Sequence, residues 1–159
     1  MNYKMKNNGF TLIELMVTLA IATIITLIAV PSFTTLIKNN RIITSGNIFI
    51  SALSYARSEA TKRAQTITVA SNSGTTSWEG GWEVRQGATV IRVYEALPTG
   101  NTLTNTAGSA ATVLFDSRGG LSGATSLTFR LCDDRTGETG VEISINVTGR
   151  PASSDYTCS

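Results

Sequence analysis

Between Phe10 and Val30 only one side chain, Glu14, would be ionised at neutral pH; the rest are apolar or small. That length is about what a membrane-spanning helix needs. A carboxylate inside such a run is expensive, roughly 2.5–3.5 kcal/mol on insertion scales, so its presence calls for a purpose. A short basic lead, Met1 to Asn8 with Lys4 and Lys6, precedes the run. A secretory signal would close its apolar core with a small-residue cleavage site. Pro31-Ser32-Phe33 provides none, so the run is expected to stay with the chain.

The string Gly9-Phe10-Thr11-Leu12-Ile13-Glu14 resembles the processing site of type IV prepilins and of type II secretion pseudopilins. The resemblance implies that a prepilin peptidase cuts between Gly9 and Phe10 and methylates the new amino terminus. Residues 1–9 are then a leader, 10–30 a transmembrane and assembly segment, 31–64 an amphipathic continuation of the helix, and 65–159 a globular β-rich head. Glu14 becomes the fifth residue of the mature chain. In a bundle of subunits the α-amino group of Phe10 is a cation buried beside lipid, and Glu14 of a neighbour, or of the same chain before assembly, neutralises it. The implied location is a single pass through the bacterial inner membrane before assembly, then a filament outside it. The implied partners are the peptidase and other major and minor pilins or pseudopilins.

Charge and residue usage fit that expectation. The chain has 13 Lys and Arg against 11 Asp and Glu, and the excess is Lys4 and Lys6, both in the leader. The two lysines therefore mark the side of the membrane that stays inside. The chain has no His, which removes the commonest general base and metal ligand. With neither a Ser-His-Asp nor a Cys-His set, the chain is not expected to be an enzyme, and no cofactor or metal is expected. Asp133 and Asp134 sit in a D-D-R-T-G turn with too few oxygens nearby for calcium. Ser117-Arg118-Gly119-Gly120 lacks the Lys-Ser/Thr end of a phosphate loop and reads as a turn. Trp78 and Trp82, on either side of Glu79-Gly80-Gly81, either stack on a base or sugar or pack a hairpin, and packing is the commoner use. Asn146-Val147-Thr148 fits a glycosylation sequon but falls inside an expected strand. Cys132 and Cys158 suit an oxidising exterior. Joined, they close a loop of about 27 residues and stabilise by roughly 3–4 kcal/mol in the chain-entropy account, pinning a Pro-containing tail; two free thiols are the alternative.

Along the chain, Phe10 to about Ala64 reads as one helix of roughly 55 residues, about 80 Å long, with a kink or local unwinding expected near Pro31. Ile42, Gly46, Phe49, Leu53, Ala56, Ala60 and Ala64 recur at spacings of three and four, an apolar stripe for a sheet to cover. Glu59 and Arg63 make an i,i+4 pair in the favourable order. After Ala64 the period becomes two. Strands are expected at Thr66–Ser71, Gly81–Arg85, Val90–Ala96, Thr112–Asp116, Ser126–Cys132 and Val141–Thr148. Loops are expected at Asn72–Ser77, Pro98–Ala110, Ser117–Gly123 and Asp133–Gly140. Val141, Ile143, Ile145 and Val147 alternate with polar residues, so one antiparallel sheet with a single apolar face is expected over the stripe. The fold class is α+β, a pilin-like long helix, half transmembrane, on an antiparallel sheet.

Four further groups of residues sharpen the resemblance: Tyr55-Ala56-Arg57-Ser58-Glu59-Ala60; Trp78 with Gly81-Trp82-Glu83-Val84; Phe115-Asp116-Ser117-Arg118-Gly119; and Thr148-Gly149-Arg150. Together they are similar to the signatures of the subgroup holding the minor pilins FimT and FimU and the minor pseudopilin GspH. Three roles follow: a FimU-like minor pilin that primes a pilus at or near its tip, a GspH-like pseudopilin of type II secretion, and a FimT-like DNA-binding pilin. In the last, a G-R-x-R string engages the phosphate backbone. Here Arg150 of Gly149-Arg150-Pro151-Ala152 matches and the second Arg is absent. Residues 115–159 carry four Arg and six acids, whereas DNA affinity built on counterion release needs several cations on one surface.

Overall fold

The computed structural model describes residues 9–107, 111–123 and 125–159. Helix α1 runs Leu12–Arg63. Thr11 caps it: its Oγ1 accepts from the backbone amide of Glu14 at 3.3 Å, so Thr-x-x-Glu serves as a helix start as well as part of the motif. The helix is continuous through Pro31, so of the expected kink or local unwinding the unwinding does not occur. One missing amide removes one rung from a ladder of 52 residues, and the helix continues on either side. The Pro31 carbonyl accepts from Thr34 Oγ1 at 2.8 Å and from Thr35 Oγ1 at 3.2 Å.

The chain divides into two compact units after Ile37. In the first, the large apolar side chains of α1 from Leu12 to Ile37 are exposed. Thr18 and Thr23 return their hydroxyl protons to Leu15 and Leu19 carbonyls at 2.9 and 2.8 Å. A helix with apolar residues all round can thus carry threonines without leaving a hydroxyl unpaired.

The second unit holds the rest of α1 and eight strands: β1 Ile67–Ser71, β2 Trp82–Gln86, β3 Thr89–Tyr94, β4 Thr102–Ala107, β5 Thr112–Phe115, β6 Leu127–Cys132, β7 Thr139–Ile145 and β8 Pro151–Thr157. They form two antiparallel sheets, ordered β3-β2-β1-β5 and β4-β6-β7-β8, where one sheet was expected. Strand β4 lies in the segment read as a loop, and β8 is the tail read as merely pinned. Strand β7 stops at Ile145, so Val147 is exposed in the following turn and does not continue the apolar face. The segment Thr76–Trp78 joins the sheets: Trp78 N donates to Leu103 O of β4 at 2.7 Å and Asn105 N of β4 to Thr76 O at 2.9 Å, while Ser71 Oγ of β1 donates to Ser77 O at 2.6 Å.

Ile42, Gly46, Phe49, Leu53, Ala56 and Ala60 of the expected stripe are buried. Ala64 is not; it adopts φ +51° and ends the helix. Phe49 lies between the sheets. Its ring meets Trp78 at 5.6 Å, Trp82 of β2 at 4.9 Å and Phe129 of β6 at 4.9 Å, all edge to face. Trp78 in turn meets Phe129 at 5.2 Å. Such pairs are worth about 0.5–1.5 kcal/mol each beyond the area they bury. Phe49→Ala is expected to destabilise the chain by about 3–5 kcal/mol, measured by denaturant unfolding in detergent with tryptophan fluorescence. Val147→Ala should stay within about 0.5 kcal/mol; equal effects from both would contradict this placement of the core.

Candidate functional site

The residues expected to carry processing and assembly lie at the start of the chain. Gly9 and Phe10 are non-helical and exposed, immediately before the Thr11 cap. A β-carbon built on Gly9 meets nothing within 4 Å, so nothing among the described residues requires glycine there. Glu14 lies in the first turn of α1, where a negative charge offsets the helix's positive end. Its carboxylate is exposed and makes no ion pair among the described residues.

At the far end of α1, three of the quoted signatures converge. Asp116 closes the turn after β5, its Oδ1 accepting from the amides of Arg118 at 2.8 Å and Gly120 at 2.9 Å. Those amides, Gly120 first, hold its carboxyl below the ordinary carboxylate range. Arg57 Nε donates to Gly119 O at 3.0 Å. The turn also pairs with the segment after β7 through Leu121 N to Val147 O at 3.0 Å. Gly149, at φ +75°, lies so close that any β-carbon would collide with the Gly119 carbonyl. Tyr55–Ala60, Phe115–Gly119 and Thr148–Arg150 therefore form one structural joint between helix and turns. Sequence reading missed that contact, and the only available signal was that the three strings occur as a set.

The remaining expected sites resolve as follows. Cys132 and Cys158 form a disulfide, which ties the end of β8 to β6 across Gly140 of β7. There a β-carbon would collide with Cys158 Sγ and the Leu131 carbonyl. Asp133 and Asp134 are occupied by cations of the chain itself. Arg135 donates to Asp133 Oδ2 through Nε at 2.8 Å and Nη2 at 2.6 Å, and to Asn39 Oδ1 at 2.7 Å. Lys38 Nζ donates to Asp134 Oδ1 at 2.6 Å. The turn thus grips Lys38 and Asn39 of α1, and no metal-binding cluster occurs among the described residues. Trp78 and Trp82 are fully buried and serve packing. Asn146 lies in a turn, where its Oδ1 accepts from Thr148 Oγ1 at 2.7 Å and Arg150 N at 2.9 Å.

The expected DNA contact is a single cation here. Arg118, Arg130 and Arg135 pair with Asp116, Glu142 and Asp133 at 3.5, 3.1 and 2.6 Å. Arg150 is exposed and has no ion pair among the described residues.

Four carboxyls lie below their ordinary range: Glu59 through Arg63, Asp116 through Gly120, Asp133 through Arg135 and Asp134 through Lys38. Groups depressed on folding add stability above the unfolded carboxylate pKa of about 4 and lose it as pH falls through the folded value. Thermal unfolding should therefore give a lower Tm at pH 3 than at pH 7, with a shallower fall in Asp133→Asn; a flat profile would contradict these pairings.

Comparison with known proteins places the chain. Residues 46–149 match the family described as Type II transport protein GspH, and residues 4–30 match the Prokaryotic N-terminal methylation motif. No curated protein sequence matches the chain. The fold is similar to that of the type IV minor pilin FimU of Pseudomonas aeruginosa (strain PAO1). Against its P21 crystal form the TM-score is 0.65 at 22% identity, covering 72% of this chain and 89% of FimU. The P65 form gives 0.62 at 22%, covering 70% and 90%. The family and the fold are structural, not enzymatic. With the signature joint, the methylation motif and a family match over most of its length, the chain belongs to the GspH family, in the FimT, FimU and GspH group of type IV minor pilins and pseudopilins.

Proposed function

We propose that this chain is a low-copy subunit of a type IV pilus that helps prime assembly at or near the tip. The prepilin peptidase cuts after Gly9 and methylates Phe10. The segment 10–30 holds the protein in the inner membrane as a single pass, 31–64 continues the helix, and 65–159 is the head. Assembly proceeds through the helix, where Glu14 neutralises the amino terminus of a subunit. One observation carries the reading: Glu14 is an exposed carboxylate with no ion pair among the described residues, in the first turn of a helix whose apolar surface the described chain leaves bare. A neighbour presenting an α-amino group beside the same apolar surface would relieve both costs.

The description of the matching family as a type II transport protein favours a second reading, a minor pseudopilin of a secretion system. Its helix would work in the same way. Transformation has less support, because three of the four arginines after Phe115 are already paired with acids of the chain.

Surface filaments counted by shearing and electron microscopy in a strain lacking the gene test the proposal. Near-complete loss of pili, restored by the wild-type gene, is expected. Normal piliation with impaired protein secretion would overturn the pilus reading in favour of the second.

A further inference from the structure

The two sheets present four edges, and the chain treats them unequally. The outer edge of β5 is covered by the returning chain: Ser122 N donates to Leu114 O at 2.9 Å, and Phe115 bridges Leu121. The outer edge of β4 is covered by Thr76–Trp78. Strand β8 is open, but it begins with Pro151 and carries Ser153, Ser154 and Asp155, devices that discourage strand addition. Strand β3, Thr89-Val90-Ile91-Arg92-Val93-Tyr94, has no proline and no covering segment among the described residues; its one bulge, at Ile91, and its one charge, Arg92, are all that guard it. Its backbone pairs only with β2 among the described residues.

The side chains of β3 are set for a partner. Opposite β2 the register is Val84↔Arg92 and Glu83↔Val93, then slips to Arg85↔Val90. The slip at Ile91 brings Val90 and Val93 onto the same face, opposite that of Trp82 and Val84. Both valines are exposed, Val90 at 46% and Val93 at 59%. Arg92 lies on the other face, its guanidinium 5.0 Å from the Tyr94 ring centroid and 5.4 Å from that of Tyr55. The rings hold the cation in place. The other strand arginines, Arg85 and Arg130, are paired with Glu83 and Glu142. Arg92 has no carboxylate partner among the described residues.

We propose that the edge of β3 receives an extended strand from a pilin-type subunit other than a second copy of this chain, whose own β3 holds no acid: apolar where it covers Val90 and Val93 and acidic where it meets Arg92. This inference rests on the proposed role as a filament subunit. Backbone pairing would supply affinity, and the valines and Arg92 would supply selection. Six residues offer roughly 20 Å of edge, less than a stable interface needs alone. The contact therefore forms between subunits already held together in the membrane, where effective concentration is high.

Site-specific photo-crosslinking in intact cells tests this, with benzoylphenylalanine at Val93 and, separately, at Leu19 on the exposed apolar surface of α1. A Val93 adduct to another pilin subunit, identified by mass spectrometry and reduced at least tenfold by Arg92→Glu, is the expected result. An unchanged Tm in Arg92→Glu would show that the exposed substitution leaves the fold intact. Leu19 adducts to pilins without any from Val93 would overturn the edge proposal and leave the filament role standing. Pilin adducts from neither position would overturn both. A Val93 adduct only to a second copy of this chain, or one undiminished by Arg92→Glu, would overturn the acidic heterologous partner.

Discussion

A helix with no polar face has no place of its own in water, and the first part of α1 is such a helix. Its large side chains from Leu12 to Ile37 stand exposed, so their surroundings have to come from lipid or from other chains. Only Glu14 interrupts the run before Val30. In the proposed filament, that carboxylate makes apolar packing selective. Apolar helices slide past each other at little cost, whereas a charge that needs an opposite charge fixes one axial position. The Thr11 cap contributes locally by fixing where the helix begins, and hence how far Glu14 lies from the amino terminus that processing would create.

The second unit solves a different problem, that of holding a short piece of helix against two sheets. Phe49 reaches both sheets at once through Trp82 and Phe129. Two polar clasps flank it along α1. Lys38 and Asn39 are gripped by the Asp133–Arg135 turn, and Arg57 is tied to Gly119. Each clasp joins residues distant in sequence, so each contributes to the tertiary arrangement more than to any one element. The disulfide extends the same logic to the carboxyl terminus by securing β8, whose own side chains bury little.

Much of this was legible in the sequence, for physical reasons that also explain the failures. The helix is visible because its apolar run and its stripe are both long, and the processing motif because Gly9, Phe10 and Glu14 stand at fixed spacing. Strands β4 and β8 were invisible because T-L-T-N-T-A and P-A-S-S-D-Y-T have few large apolar side chains. They become strands by pairing with β6 and β7, a context that local propensity does not contain. The second sheet escaped for a related reason: alternation says which face a residue takes, but not which strand lies beside it. The joint of Arg57, Gly119 and Gly149 depends on two turns meeting, and its parts lie some 90 residues apart at the extremes. No periodicity could reveal it.

In the proposed filament Glu14 acts between subunits and not within the fold. The most direct test of that role is the distribution of Glu14→Val between the membrane and sheared filaments, alongside the wild-type chain. The variant is expected to be processed to mature size, with an unchanged Tm, to stay in the membrane and to be depleted from filaments at least tenfold. Incorporation at the wild-type level would contradict that role.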